Sequence, residues 1–167
     1  MPFSPIPRGV YPSVTSLDPK KLKEKGITLV LADLDNTLVP YKVLEPSPEV
    51  AAWMAALKEE GIDLFLLSNS RKPGRAQKFA QQVGIPYQGH SGKPKKAGYL
   101  KAMERMGRTP QETVMVGDQI FTDTWGGNNA GVLTLLVHPI RFGTVFRFLR
   151  FALETPFRAG AQKGETL

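Results

Sequence analysis

Short apolar runs alternate with amphipathic stretches along most of the chain. Four runs have the length of a β-strand: residues 27–32, 62–67, 113–116 and 132–137. Each is nearly continuous in apolar side chains, which is typical of strands that are covered on both faces. The pattern predicts an α/β domain in which helices wrap a parallel sheet.

The amphipathic stretches between these runs predict the helices. One helix is expected to begin at Ser47, an N-cap residue followed by Pro48, and to end before Gly61. Two more are expected to end before Gly84 and Gly107, since glycine is the usual residue just past a helix C-terminus. The predicted core-facing positions of the three helices are Val50, Met54, Leu57, Ala76, Phe79, Ala80, Val83, Leu100, Met103 and Met106.

Composition narrows the class of protein. The chain has 167 residues and no cysteine, which excludes a disulfide framework, a zinc–thiolate site and every enzyme with a thiol nucleophile. No repeat or linker divides it, so we expect one domain over residues 1–167, with an N-terminal extension (1–26) and a basic amphipathic tail (140–167). No run approaches the roughly 18 apolar residues of a membrane span, and the first residues lack the apolar core of a secretion signal. We therefore expect a cytoplasmic protein.

Charge is unevenly distributed along the sequence. The formal net charge is +7, but residues 71–108 hold ten Lys or Arg and one acidic residue, whereas residues 27–70 hold two basic and seven acidic residues. The basic stretch has two interpretations, solvated helix faces or a field that gathers anions.

Polar side chains follow three of the predicted strands at the point where each strand ends. They are Asp33, Asp35, Ser68, Asn69, Asp118 and Asp123. In open α/β sheets, ligands bind beyond the carboxyl ends of the strands. Each residue taken alone has an ordinary interpretation as a helix cap or a turn residue. Their joint placement at strand ends makes these separate interpretations improbable and favours a ligand site, for which we consider a phosphate monoester.

A carboxylate site for phosphate needs a cation, because a carboxylate and a phosphoryl oxygen 4 Å apart repel by about 4 kcal/mol at an effective dielectric near 20. Asp33, Asp118 and Asp123 supply the hard oxygen ligands that Mg²⁺ prefers. Zinc is poorly served, since the only histidines are His90 and His138, which we expect to be structural or surface residues. The predicted cofactor is therefore Mg²⁺.

With the ion in place, Asp33 could attack phosphorus and form an aspartyl-phosphate. Asp35 could first give a proton to the leaving oxygen and then take one from the attacking water. Ser68 and neighbouring backbone N–H groups could bind the phosphoryl oxygens. The fixed positive charge is assigned to Lys93, with Lys95 and Lys96 as competing candidates.

At these residues the sequence resembles the haloacid dehalogenase-like (HAD) superfamily of Mg²⁺-dependent phosphotransferases. The motifs that carry the resemblance are Asp33-Leu34-Asp35-Asn36-Thr37, Ser68-Asn69, Lys93-Pro94 and the segment from Gly117-Asp118 to Asp123. More narrowly, the chain is similar to the YqeG-type group of class IIIA phosphatases, through Gly126-Gly127-Asn128 and Gly131 as well. The resemblance covers residues 11–139 and implies a three-layer Rossmann-like sandwich with a mostly parallel central sheet.

The resemblance also implies roles for individual residues. Asp33 would be the nucleophile, and Asp35 would act as the acid and then as the base. The metal ligands would be Asp33, Asp118 and the Asp35 backbone carbonyl, with Asp123 acting through water. The phosphate group would be bound by Ser68, Asn69 and Lys93. The intervals between the motifs leave no room for a cap domain, so this would be a capless HAD fold with an open site, suited to a bulky substrate or to a partner subunit that acts as a lid. Some relatives of the group act on phosphatidylglycerophosphate, which we expect as a candidate substrate.

The tail predicts an amphipathic helix. Its apolar arc contains Val145, Phe146, Phe148, Leu149, Ala152 and Leu153, the opposite arc contains Arg147, Arg150 and Glu154, and Phe151 lies at the boundary. We expect the apolar arc to pack on the domain's own sheet or on another subunit, such as a second copy of the chain. The alternative is peripheral contact with an anionic membrane.

Two other functions stay open from the residues alone. A receiver-like phosphoacceptor module also places acidic residues and a Lys-Pro at strand ends, but in a different order along the chain. A phosphatase of polynucleotide ends could use the basic stretch, although that stretch lacks the interleaved aromatic residues of a base-stacking platform. We therefore expect a phosphorylated substrate and no nucleic-acid partner.

Overall fold

The computed structural model describes residues 4–72, 74–142 and 144–161, and a six-stranded sheet forms its centre. The strands are β1 (Gly9–Tyr11), β2 (Leu29–Ala32), β3 (Asp63–Leu67), β4 (Tyr87–Gln88), β5 (Thr113–Gly117) and β6 (Leu133–Val137). Their order is β1-β6-β5-β2-β3-β4, and every pairing is parallel. The four predicted strands are confirmed, and β1 adds an edge strand from the segment that we expected to be an extension.

Helices connect the strands. They are α1 (Pro19–Glu24), α2 (Pro48–Glu59), α3 (Arg75–Val83), α4 (Ala97–Met106), α5 (Trp125–Asn129) and α6 (Val145–Ala159). A π-helical turn over Ile120–Thr124 follows β5. The predicted helix ends are confirmed: the Ser47 side chain caps α2 by accepting a hydrogen bond from the Val50 N–H, and α3 and α4 stop at glycines with positive φ.

Alternate residues of the central strands face two separate cores. Val30 and Ala32 of β2 point to the face that α1, α2 and α3 cover, where Trp53, Leu57 and Phe79 are buried. Leu29 and Leu31 point to the opposite face, which buries Tyr99, Ala102 and Met103 of α4. The two cores confirm the predicted three-layer α/β sandwich, and the described residues between Asp35 and Lys93 contain no additional domain.

One predicted core position is wrong. Leu100 is 43% exposed, and its neighbour Tyr99 is fully buried instead. The Gly98 Cα lies so close to the Ser91 carbonyl that any larger side chain would overlap it. This close contact turns Gly98 and Tyr99 inward, and Leu100, about 100° further round the helix, therefore faces solvent.

Helix α6 is also inverted relative to expectation. Its predicted apolar arc points outward, with Val145, Phe146 and Leu153 77%, 75% and 69% exposed, while Glu154 is buried. The prediction that the apolar arc packs on the domain's own sheet is therefore wrong. The physical reason is that Glu154 accepts a hydrogen bond from the Phe121 N–H and pairs with Arg158, so the polar arc holds the helix to the domain.

Two further expectations concern the ends of the chain. No helix in the described part of the chain is both long and apolar enough to span a membrane. Residues 1–3 of the predicted extension and 162–167 of the predicted tail lie outside the described residues.

Candidate active site

Three buried carboxylates meet beyond the carboxyl ends of β2 and β5. Asp33 and Asp118 follow these two adjacent strands, and Asp123 belongs to the π-helical turn after β5. One oxygen from each of the three lies within 4.8 Å of the others. An oxygen-only cluster that is shielded from solvent fits a hard divalent cation such as Mg²⁺.

A buried ammonium bridges two of these carboxylates. The Lys93 Nζ lies 2.8 Å from Asp33 Oδ1 and 2.7 Å from Asp123 Oδ1, and its side chain is 1% exposed. Lys95 and Lys96 are exposed. The competition between the three lysines is therefore decided by the fold, which buries only Lys93 in the site.

The charges of this cluster are unbalanced. Burial raises the pKa of Asp118 well above its ordinary value, and the nearby Asp33 and Asp123 raise it further. Burial also raises the pKa of Asp123, to about 6, although Lys93 opposes that shift. Burial alone would lower the pKa of Lys93, but Asp123 and Asp33 raise it above its ordinary value. Three ionised carboxylates against one ammonium leave two negative charges, which matches the charge of a divalent cation.

Asp35 has a separate cationic partner, Arg75, which the sequence analysis did not single out. The Arg75 Nε lies 2.8 Å from Asp35 Oδ1, and its Nη2 donates to the backbone carbonyls of Pro40 and Val43. Burial raises the pKa of Asp35, while the hydrogen bond and charge of Arg75 lower it, with a net rise. Arg75 thus ties the half-buried Asp35 to the loop after β2.

The second motif supports Lys93. The Asn69 Nδ2 donates to the Lys93 carbonyl at 2.9 Å, and the Asn69 Oδ1 accepts from the Lys93 N–H and from the Ser91 hydroxyl. These bonds give Asn69 a positioning role toward Lys93. Ser68 is buried at the end of β3, beside β2, and its hydroxyl accepts a hydrogen bond from the Ser70 N–H.

Several residues that the sequence analysis missed contact the carboxylates or the backbone beside them, or leave space for them. The Thr37 hydroxyl lies 3.3 Å from Asp118 Oδ1, and the Tyr99 hydroxyl donates to the Thr122 and Asp123 carbonyls. Gly117 is required because a Cβ there would overlap the Asp123 side chain. Thr37 and Gly117 lie within the quoted motifs, whereas Tyr99 carries no local signal beyond its place on an amphipathic helix.

The two histidines lie outside this cluster. His90 and His138 are both exposed, as expected for surface residues. Of the ten basic residues in the stretch 71–108, Lys93 and Arg75 are buried at the site, and most of the others lie on solvated faces. The interpretation as solvated faces therefore holds for most of the stretch, whereas Lys93 and Arg75 pair with carboxylates of the site.

Comparisons with known proteins agree on a family of hydrolases that includes phosphatases. A family model described as haloacid dehalogenase-like hydrolase matches residues 9–131. "Probable phosphatase YqeG" of Bacillus subtilis is 33% identical over 147 residues, which cover 87% of this chain and 85% of that protein. "Phosphatidylglycerophosphate phosphatase 1, chloroplastic/mitochondrial" of Arabidopsis thaliana is 34% identical over 74% of this chain, but the match spans only 38% of that longer protein.

A solved structure shares the fold. The cobalt-bound form of the deoxy-D-mannose-octulosonate 8-phosphate phosphatase (YrbI) from Haemophilus influenzae superposes with a TM-score of 0.52. The two chains are 16% identical, and the superposition covers 86% of this chain and 96% of that one. At this identity the likeness concerns the fold alone.

Proposed function

Since the chain belongs to the haloacid dehalogenase-like hydrolase family, we propose that it is a Mg²⁺-dependent phosphatase that works through an aspartyl-phosphate intermediate. The resemblance inferred from the motifs is confirmed, and so is the enzyme class, a hydrolase of phosphate monoesters. The family match also favours an enzyme over the receiver-like alternative. The observation that carries the proposal is the cluster of Asp33, Asp118 and Asp123 with Lys93 between two of them.

The metal would be held by oxygen ligands alone. Asp33, Asp118 and the Asp35 backbone carbonyl would bind Mg²⁺, with Asp123 bound through water. When bound, the ion offsets the repulsion between the Asp33 carboxylate and the phosphoryl group and stabilises charge on the phosphoryl oxygens.

The protein's own groups would then carry two displacements. In the first, an Asp33 oxygen forms a bond to phosphorus while the bond from phosphorus to the leaving oxygen breaks, and Asp35 transfers its proton to that oxygen. The raised pKa of Asp35 favours the protonated form that this step needs. In the second displacement, the oxygen of a water molecule attacks phosphorus while Asp35 takes a proton from that water. The bond from phosphorus to the Asp33 oxygen breaks, which frees Asp33 and releases inorganic phosphate. Lys93 and Ser68 orient the phosphoryl group throughout.

We further propose phosphatidylglycerophosphate as the substrate. Two features support a lipid: a relative is named for this activity, and the described residues leave the site without a cap. The exposed apolar arc of α6 supports peripheral contact with a membrane at the cytoplasmic face, and the net charge of +7 favours an anionic one.

Phosphate release tests the catalytic proposal. Phosphatidylglycerophosphate in mixed micelles with Mg²⁺ is expected to yield inorganic phosphate, and EDTA or Asp33→Asn is expected to abolish the release. Lys95→Met, an exposed neighbour of Lys93, serves as the control that keeps activity. Full activity of Asp33→Asn would overturn the nucleophile, and no release by the unmodified protein would overturn the substrate.

Vesicle binding tests the membrane contact separately. Phe146→Ser is expected to weaken co-sedimentation with vesicles of phosphatidylglycerol and phosphatidylcholine, because it removes apolar area from the exposed arc. Leu100→Ser, an exposed apolar residue on α4, is the matched control. Equal binding by both variants, or a stable dimer of the unmodified protein that Phe146→Ser breaks, would contradict membrane contact and favour a second subunit.

A further inference from the structure

We propose that the arginine-bearing side of α6 forms a second anion subsite beside Asp118, which binds a second phosphate group of the same substrate. The inference rests on the proposed phosphatase function and deepens it, because it makes the substrate a phosphate monoester that also carries a phosphodiester or another phosphate. No motif in the sequence analysis assigned a role to these arginines.

The subsite is a narrow cleft between α6 and the carboxylate cluster. Asn36, Asp118 and four arginines, Arg141, Arg147, Arg150 and Arg158, are among the residues that line it. Its volume is about 20 Å³, which is space for about one water molecule. The cleft therefore admits an oxygen atom of an anion, while the remainder of the group stays at the rim.

Arg158 supplies the observation that points to a ligand. Its side chain is 8% exposed, and its Nη2 donates to the Asp118 carbonyl at 2.8 Å and lies 3.3 Å from Glu154 Oε2. Its Nε and Nη1 are buried and have no hydrogen-bond partner among the residues that the structure describes. A buried N–H group without an acceptor is costly, so a ligand that supplies acceptors at this position would be stabilised.

Arg147, which also lines the cleft, has a similarly unpaired donor. Its guanidinium stacks over the Tyr41 ring at 4.2 Å, and its Nη1 is likewise buried without a partner in the described part of the chain. Tyr41 belongs to the loop that Arg75 ties to Asp35. Two arginines of the cleft therefore carry buried donors without a partner among the described residues, and one of them, Arg147, contacts the loop beside Asp35.

The net charge of the cleft favours an anion. Four arginines line it against two carboxylates, Asp118 and Glu154, which leaves a net positive charge. Glu154 is the partner of two of the arginines, at 3.5 Å from Arg150 and 3.3 Å from Arg158. Fastening α6 to the domain accounts for the Nη2 contacts of Arg158, and its guanidinium stacks over the Phe151 ring at 4.3 Å. Neither contact supplies an acceptor for Nε or Nη1. Guanidinium N–H groups donate charge-assisted hydrogen bonds to phosphate oxygens, which makes phosphate the ligand class of choice.

A comparison of two soluble substrates tests the subsite. p-Nitrophenyl phosphate carries one phosphate group, whereas glycerophosphoglycerol phosphate carries a monoester and a phosphodiester and has no acyl chain to engage a membrane. Arg150→Gln removes one of the guanidinium groups that line the cleft, and Arg158→Lys keeps the charge but loses Nε and Nη1, the two donors without a partner in the described chain. Lys101→Gln, which removes an exposed charge from α4, is the control.

The readout is the ratio of kcat/KM for the two substrates. Both arginine variants are expected to lower the preference for glycerophosphoglycerol phosphate by about tenfold, through KM, since a charged hydrogen bond is lost. Lys101→Gln is expected to leave the ratio within about twofold. Thermal unfolding checks that Arg158→Lys is folded, and if it is not, Arg150→Gln decides the outcome.

The failures are distinguishable. If the unmodified protein hydrolyses p-nitrophenyl phosphate but neither arginine variant changes the ratio, the subsite is wrong and the phosphatase stands. An equal fall in Lys101→Gln would also overturn the subsite, because it would report general charge and no specific contact. If neither substrate is hydrolysed with Mg²⁺, the proposed function itself fails.

Discussion

Replacing Lys93 by Met tests how strongly the carboxylate cluster depends on its one buried ammonium. Methionine has nearly the length of the lysine stem and no charge. The substitution leaves Asp33 and Asp123 without the partner that lies 2.8 and 2.7 Å away, in a region where the lysine side chain is 1% exposed. Asp118, whose pKa Lys93 also lowers, loses the same compensating charge.

The size of the effect follows from burial. Removing one member of a buried ion pair costs about 3–5 kcal/mol, because the remaining charge stays out of water without compensation. For a chain of this length each 1 kcal/mol lowers Tm by about 2–4 °C, so the expected fall is about 6–20 °C. Magnesium at about 100 times its Kd stabilises a protein that binds it by about 2.7 kcal/mol. Lys93→Met has one more uncompensated negative charge at the site, so it should bind the dication more tightly than the unmodified protein and gain more.

Thermal unfolding, monitored by circular dichroism, measures the difference in Tm between Lys93→Met and the unmodified protein. At neutral pH in EDTA, Lys93→Met is expected to melt well below the unmodified protein, and the gap is expected to narrow when Mg²⁺ is added. The gap should also narrow below about pH 5, where carboxylates with raised pKa values become protonated and need no counter-charge.

Lys95→Met is the matched control, because Lys95 is exposed two residues along the same segment. The reasoning is refuted if the two variants melt at the same temperature in EDTA, or if the deficit of Lys93→Met is as large below pH 5 as at neutral pH. Either result would mean that the three carboxylates do not rely on Lys93 for compensation.

Three more predictions concern the same site. Gly117→Ala is expected to displace Asp123 and weaken Mg²⁺ binding measured by calorimetry, whereas Gly89→Ala, where a Cβ meets open space, should bind as before; equal binding would refute the steric argument. The pKa of Asp123 in the folded protein is about 6 against an ordinary 3.8, so the metal-free protein should lose stability as the pH rises through 6. The gain in Tm from Mg²⁺ should therefore be larger above pH 6 than below it, and a gain independent of pH would refute this. Arg75→Met removes the hydrogen bond and the charge that lower the pKa of Asp35 most, so the limb of the pH–rate profile that reports Asp35 should move to higher pH. An unmoved limb would refute that role.

The strands and the chemistry at their ends could be predicted from the sequence, because both are local signals. A continuous apolar run implies a strand buried on both faces, and the residue that follows it necessarily lies at the carboxyl edge of a parallel sheet. That logic places Asp33 and Asp118 side by side, since their strands pair. Helix caps are equally local, which is why the Ser47 start of α2 agrees with the structure.

The orientation of α6 could not be predicted in this way. A helical wheel shows that two arcs differ in polarity, but which arc faces inward depends on residues far away in the sequence. Glu154 meets the Phe121 N–H, and Arg158 meets the Asp118 carbonyl, 33 and 40 residues away. These long-range polar contacts hold the helix with its apolar arc in solvent.

The burial of cationic side chains was the second feature that could not be predicted from the sequence. Lys93 could be assigned from its motif, but Arg75 carries the same composition signal as the solvated residues around it, such as Lys72 and Lys78. Its role appears only when α3 places its guanidinium against Asp35 and the carbonyls of the loop after β2. Burial of a charged side chain depends on tertiary structure, so sequence patterns alone do not identify which charged residues are buried.

Direct detection of a phosphoryl group on Asp33 tests the central claim. The protein is mixed with substrate and Mg²⁺, quenched in acid within a turnover, digested and examined by mass spectrometry. We predict that the peptide containing Asp33 gains one phosphoryl group at that aspartate, and that EDTA or Asp33→Asn removes the gain. Phosphoryl transfer to another residue, or rapid turnover by Asp33→Asn, would contradict it.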